Sequence, residues 1–517
     1  MKPFLVKYRL YGVLLLLCAF YIYKATTFPI HDFANYYFGA QFLAEGNFNS
    51  SIYFPYEFNK AIADLGFQNI FVSYAPNTPF LAFFFLPLTL ISVAKAKLIF
   101  NIISSLLFVF SCFRLFDFYK INSKYLLLLP LLFFVPIKNN LLFGQVYFLL
   151  FFLLTESLLT YEKQQFKKTG FFLSLAIVLK VFPILFVLLF VFKKQFKPLA
   201  YTFGICIFLF GISILFTGID VWTFFLQSVL PKASNGEIAN AFVDNYQSVF
   251  MFLKRLFVYE AVENTNAVLN NVKLFSGILL SVKFLLIVIG YFITKKENNL
   301  IAFSYWVLAS FLISPYGATY GFILLIFVLI SVLKSSLSNI QKGIFILLLF
   351  LINNLPLSYF IENHFPFSYL RLFLLLLLFF SFLSVFRNSI QWKVILPSVI
   401  LPLLFVFLFK KQEHVQSQPL FSEKQPILIY DYKIANNKLI YFYWDENGAN
   451  EKNMDIKINT WKELNLENQQ IFHNEKQLTS DKNNKLKPIL INDKEVIFLS
   501  DENRGIGFYI FRKIKIN

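Results

Sequence analysis

Asp32 follows directly on an apolar segment and opens the run His31-Asp32-Phe33-Ala34-Asn35-Tyr36-Tyr37-Phe38-Gly39-Ala40. A carboxylate at such an edge stays ionised and can take a proton from a hydroxyl group, acting as a general base. The same position suits an N-cap, with a helix running on to about Glu45, and aspartate fills that role well. Position alone leaves both readings open. Lys180 stands inside apolar sequence just before Val181-Phe182-Pro183. A cation near the bilayer centre costs about 2.5–3.5 kcal/mol on insertion scales, so it tends to face a polar cavity. There it could hold a lipid-linked phosphate as a point charge; snorkelling of the long side chain to the interface is the competing reading.

Gln145, after Asn139, Asn140 and Gly144, offers hydrogen bonds to a sugar or phosphate, or is an ordinary polar helix start. The run Asp244-Asn245-Tyr246-Gln247-Ser248, followed by Lys254-Arg255, adds a second carboxylate, two amides and a guanidinium. Arg255 could bind phosphate bidentately, or be a solvated or headgroup-facing charge. Ser314-Pro315-Tyr316-Gly317 breaks a helix between two apolar segments and by itself is a tight turn. His31, His364, His414 and His473 show no ligand spacing, and Cys18, Cys112 and Cys206 all lie in apolar sequence. No metal centre is expected, and no disulfide framework in the polar C-terminal part. A P-loop and a GxGxxG in a βαβ context are both absent from the sequence, so it lends no support to a nucleotide-linked donor. A donor already resident in the membrane needs neither.

The elements that must position these residues are apolar. The chain has 517 residues, of which 57% are hydrophobic, 20% aromatic and 15% charged, with 71 Phe; soluble chains average about 25% charged. The net charge of +18 would suit nucleic acid, but its distribution does not. Residues 1–411 hold 32 Lys/Arg against 14 Asp/Glu, and residues 412–517 hold 15 of each. Basic clusters between apolar segments mark the cytoplasmic side of a membrane protein, so nucleic acid is not an expected partner and the lipid bilayer is.

Apolar segments recur from residue 10 to residue 409. The first reads as a retained span, since it lacks a small-x-small cleavage site. With the N-terminus cytoplasmic, the basic clusters all fall inside only if segment 77–94, which carries Pro79 and Pro87, is re-entrant. The expectation is a polytopic α-helical membrane domain over 1–411, with about thirteen transmembrane helices plus that re-entrant segment. Segments 169–181 and 183–193 form a broken pair with Lys180 at the break. Residues 29–76, 218–271 and everything after Lys411 then lie outside, in the periplasm for an inner-membrane protein. Residues 412–517 alternate short apolar runs with Asn, Lys, Asp and Glu and read as a β-rich soluble accessory domain.

This ordered set resembles glycosyltransferase family 87, among the polyprenol-phosphate-mannose-dependent enzymes of the GT-C superfold. The resemblance rests on Asp32, Tyr36-Tyr37, Gly39-Ala40, Gly46 and Tyr53 in the first loop, Tyr74-Ala75-Pro76, and Gly144-Gln145-Val146. It continues through Gly170, Leu179-Lys180-Val181-Phe182-Pro183, Asn245-Tyr246-Gln247-Ser248 with Arg255, and Ser314-Pro315, and covers roughly residues 10–335. It implies inverting transfer of a hexose, typically mannose, from a polyprenyl-phosphate-linked donor to a glycan or glycolipid acceptor on the non-cytoplasmic face. Asp32 matches the family's loop aspartate, the expected catalytic base. Lys180, Arg255, Gln145, Tyr36, Asn245, Gln247 and Tyr316 are the expected substrate-binding residues, with no cofactor and no divalent metal. Relatives often carry a histidine after the Ser-Pro break; here Tyr316, Ala318, Thr319, Tyr320 and Gly321 stand there, so its role is either lost or taken by Tyr316, Tyr320 or His364. The competing readings are a transporter or lipid flippase, which predicts internal repeats, and a polymerase or ligase using diphosphate-linked donors.

Overall fold

The computed structural model describes residues 2–516 apart from Ile238, Asp244, Asn245, residues 410–416, Asn437 and Lys457. Helices fill the chain to residue 409 and strands the part from 418 to 515. The expected boundary near Lys411 falls outside the described residues.

Among the described residues, four helices are long and apolar enough to cross a membrane, by length and composition: Val93–Phe118, Phe196–Thr217, Val272–Lys296 and Phe367–Val385. The pair Ser123–Leu132 and Phe134–Phe143, bent by 64°, makes a fifth if counted as one span. The chain is thus a multi-pass membrane protein with at least four span candidates. An expected count of about thirteen depends on the shorter apolar helices. Several of those are pieces of broken helices: Pro79–Phe85 runs into a 3₁₀ turn at Leu86–Leu90, and Phe166–Leu179 is followed by Phe182–Phe186 and Val187–Phe192. Residues 125–137, an apolar run that hydropathy alone would count as one crossing, belong to the bent pair.

Close packing of small residues draws the helices together, as expected where lipid removes the hydrophobic drive between them. A methyl at Gly170 would stand 2.8 Å from the Tyr201 carbonyl carbon and 2.9 Å from Thr202 N. Ser174, four residues on, donates to the Thr202 carbonyl at 2.7 Å. Arg114 and Glu156 pair at 2.8 Å between Val93–Phe118 and Tyr147–Glu162. Three helices end alike, with Lys120, Gln164 and Lys194 left-handed. Each is closed by a six-residue hydrogen bond, Ile121 to Phe116, Gln165 to Thr160 and Gln195 to Phe190; this is the Schellman closure without its usual glycine.

The β-rich part holds three antiparallel sheets. One has five strands in the order Gln418–Pro419, Ile510–Lys515, Glu495–Ser500, Lys485–Ile491, Trp461–Glu463; another joins Leu428–Ala435, Lys438–Asp445 and Gly448–Asp455. Ile429, Tyr432, Leu439, Ile497, Leu499 and Phe511 fill a core between these two. This part packs against the helical body. Tyr56 stacks on Tyr430 with centroids 3.8 Å apart, and Ile506 is buried in the core of the helical body.

Candidate active site

The turn ahead of helix Phe33–Ala44 sets the geometry. His31 is left-handed at φ 53°, and Asp32 takes the N-cap position of the helix, yet its side chain makes no capping hydrogen bond. Its carboxylate is turned instead to Gln145, whose Nε2 donates to Asp32 Oδ2. The Tyr36 hydroxyl donates to Gln145 Oε1 at 2.8 Å. Gln145 and Tyr36 are buried, while the Asp32 side chain keeps 34% of its surface exposed. An ionised group aimed by a buried partner and open on its other side can work on a substrate. The capping role that the sequence also allowed is not the one its side chain takes.

Gly144 places Gln145. It closes helix Phe134–Phe143 in the left-handed region at φ 68°, where a side chain is strained. A methyl there would lie 2.8 Å from Phe33 Cβ, so the absence of a side chain lets the two turns touch. His31 lies beside them, its ring stacked 4.7 Å from Phe143 and its Nδ1 3.9 Å from Asp32 Oδ1.

Two lysines approach Asp32. Lys180, extended at the end of helix Phe166–Leu179, gives Nζ to Asn77 Oδ1 at 2.7 Å. The Asn77 segment is tied to the same helix end by Thr78 Oγ1, which donates to the Val178 carbonyl at 2.6 Å. Lys180 is therefore turned into the protein rather than outward. Lys97, buried on Val93–Phe118, donates to the Pro29 carbonyl at 2.8 Å and lies 5.7 Å from the Phe28 ring. Both ammonium groups feel the Asp32 charge, as do Tyr36, Tyr246 and Tyr320.

Partly exposed tyrosines form the rest of the wall. Tyr147 and Tyr320 have centroids 5.1 Å apart, and Tyr246 meets Tyr316 edge to face at 5.6 Å. The Ser-Pro break and the Tyr246–Ser248 segment are locked together: Ser248 Oγ donates to the Pro315 carbonyl at 2.8 Å. A methyl at Gly317 would lie 2.8 Å from Gln247 N. Gln247 is buried and donates to the Ser368 carbonyl at 2.9 Å, which makes it part of the frame. Tyr316 donates its hydroxyl to the Ala233 carbonyl at 2.8 Å.

Of the expected site residues, Asp32, Tyr36 and Gln145 form one hydrogen-bonded chain, and Lys180 lies within electrostatic reach. Tyr316 joins through Tyr246. Asn245, like Asp244, lies outside the described residues. Arg255 lines a cleft of about 460 Å³ with Asn240, Phe242, Glu263, Leu357 and Lys424, its guanidinium 5.5 Å from the Phe242 ring centroid. Asn77, Lys97 and Tyr147 were not singled out as binding residues, and Tyr320 was named only as a residue that could take the role of the relatives' histidine. Asn77 adjoins the Tyr74-Ala75-Pro76 motif, which was the one available signal for it. Among the described residues no group of three His, Cys, Asp or Glu stands together as a metal site.

The sequence model of glycosyltransferase family 87 matches residues 75–315. That stretch contains Asn77, Lys97, Gln145, Lys180, Gln247 and Arg255; Asp32 and Tyr36 precede it. No curated protein and no solved structure gives a match.

Proposed function

We propose that the chain, whose residues 75–315 match glycosyltransferase family 87, transfers a hexose, mannose first among candidates, from a polyprenyl-phosphate-linked donor to a glycan or glycolipid acceptor. The observation that carries this reading is the Asp32 carboxylate, uncapped, aimed by Gln145 and open on one side, with the Lys180 ammonium within its electrostatic reach. Asp32 takes the proton of an acceptor hydroxyl as that oxygen attacks the anomeric carbon. The bond from that carbon to the phosphate oxygen breaks, and the polyprenyl phosphate leaves with the electron pair. One displacement inverts the anomeric centre.

Phosphate is a stable leaving group, so a fixed cation suffices to favour its departure. Lys180 supplies it, with Asn77 holding the ammonium in place, and no divalent metal is required. Partly exposed tyrosine rings suit a sugar, giving apolar faces with a polar rim. The donor enters from the bilayer, and we place the transfer on the non-cytoplasmic face, with the N-terminus inside and the β-rich part outside, from the excess of basic residues in the helical part.

The test is transfer of labelled mannose from polyprenyl-phosphate-mannose by the detergent-purified protein. A covalent product is expected from the wild type and none above background from Asp32→Asn. Absence of product with every monophosphate-linked hexose, alongside turnover of a diphosphate-linked donor, would overturn the donor assignment. Near-normal turnover by Asp32→Asn would remove Asp32 as the base.

A further inference from the structure

Five polar groups from the β-rich part and the 218–271 segment meet in one buried cluster. Asp501 is fully buried, and its carboxylate is already held by its own region: Asn484 N and Nδ2 donate to it at 2.9 and 2.6 Å, and Gly507 N at 3.1 Å. Onto it comes Lys232, from helix Leu230–Ser234, with Nζ 3.0 Å from Asp501 Oδ1 and 3.1 Å from the Arg504 carbonyl. Glu237 closes on the same ammonium at 3.2 Å. Arg504 in turn donates to Glu263 at 2.9 Å and to the Ala239 carbonyl at 2.9 Å. Glu263 also accepts from Phe242 N at 3.1 Å.

These bonds reach the transfer site in two steps. Ala233, the residue after Lys232, accepts the Tyr316 hydroxyl at 2.8 Å; Tyr316 packs edge to face on Tyr246, and the same break is tied to Gln145 by Asn140, whose Nδ2 donates to the Tyr320 carbonyl at 3.0 Å and whose carbonyl accepts from Gln145 N at 2.8 Å. Charged side chains are rarely buried this deeply unless paired, and breaking one partner leaves the other stranded. A cluster of this kind fixes a register more than it adds stability. Further along the same turn, a methyl at Gly507 would lie 3.0 Å from the Phe54 ring, so the turn also braces the first loop.

Resting on the functional reading above, we propose that the turn from Asp501 to Gly507 is a positioning element of the transfer site: through Lys232 and Glu263 it fixes residues 230–237 and thereby the Tyr316 and Tyr246 wall of the site. Asp501, Arg504 and Lys232 are positioning residues, acting through that wall and not on the reacting atoms.

The experiment uses the full-length protein in detergent, with two readouts on each variant. Hydrogen exchange is followed at residues 230–237 and 246–248, independently of any activity, and transfer is measured as separate kcat and KM. Lys232→Met and the isosteric Asp501→Asn are expected to speed exchange about tenfold or more in both segments by opening them locally. Each should raise the acceptor KM about tenfold with a smaller change in kcat, the pattern of a displaced binding wall. Lys232→Arg should restore both readouts substantially. Arg512→Gln, which breaks the 3.4 Å pair with Glu502 inside the β-rich part, should leave both near wild type. Faster exchange confined to 230–237, or an Arg512→Gln protein as impaired as Lys232→Met, overturns the proposal. If the wild type transfers nothing, the functional reading fails by itself, and exchange at 246–248 still decides whether the turn sets that wall.

Discussion

Replacing Gln145 by leucine tests the geometry most directly. The glutamine donates a hydrogen bond to Asp32 and accepts one from the Tyr36 hydroxyl; leucine has a similar volume and does neither. A hydrogen bond to an ionised group is worth about 1.5–3 kcal/mol, and one between neutral groups about 0.5–1.5 kcal/mol. If the first bond aims the carboxylate at the acceptor hydroxyl, its loss lowers kcat roughly 10- to 150-fold. The buried Tyr36 hydroxyl also loses its partner, at about 1–3 kcal/mol of stability, so Tm falls as well. Tyr36→Phe removes only the neutral bond and should slow transfer about tenfold at most. Asp32→Asn keeps the shape and the capping ability of the residue and removes the base, for a loss of about 10²- to 10⁴-fold. The expected order of damage is therefore Asp32→Asn, then Gln145→Leu, then Tyr36→Phe. Initial rates with labelled polyprenyl-phosphate-hexose, normalised to folded protein, give that order. A Gln145→Leu enzyme within twofold of wild type, or one weaker than Asp32→Asn, refutes the idea that Gln145 aims the base.

Lys180→Met should lower donor kcat/KM about 10- to 100-fold, the range for a lost charge-assisted bond to phosphate, and leave acceptor KM within about threefold; equal loss for both substrates would place Lys180 outside the phosphate site. Gly144→Ala forces a side chain into the left-handed region against Phe33, so Tm and transfer should fall together by about 1 kcal/mol or more in stability, and an unchanged melting curve would contradict the contact. Lys254, donating to the Ala241 carbonyl at 2.7 Å, is lowered to about 8 by burial, with Glu237, Glu263 and Glu260 opposing and Arg504 adding to the effect. Its ordinary value is 10.5. The unfolded chain therefore binds the extra proton between pH 8 and 10.5, and this residue's contribution makes stability rise with pH across that window and is level, at its least favourable, below it. The slope of Tm against pH should flatten there in Lys254→Met, and a slope indifferent to the substitution would show that Lys254 stays charged.

The helical class, the β-rich tail and the break at Lys180 were legible because each rests on local pattern: apolar runs, alternation, and a proline after a span. Asp32, Tyr36 and Gln145 could be nominated one by one, but their joining could not. It depends on Gly144 letting two turns touch whose Asp32 and Gln145 lie 113 residues apart. Asp32 shows the limit well, since base and cap predict the same residue at the same place, and only the direction of its carboxylate separates them. Lys97 stayed hidden at the start of a long apolar helix, where, next to Lys95, it reads as a topology signal. The number of spans was least legible, because hydropathy measures length while the chain breaks its helices at Pro87, Phe133 and Lys180. The packing of the β-rich part on the loops left no trace in sequence, as ion pairs more than 240 residues apart have no periodicity.

The cluster around Asp501 also sets an order of events in synthesis. Lys232 and Glu263 are made 272 and 241 residues before their partners at Arg504. At about 5–20 residues per second, the segment bearing them waits on the order of tens of seconds with its future buried charges in water. During that time the Tyr316 and Tyr246 wall has its helices but not its anchor. On the proposed positioning role, a chain stopped before residue 501 inserts its spans and still lacks the finished wall, and transfer follows only once the β-rich part has folded.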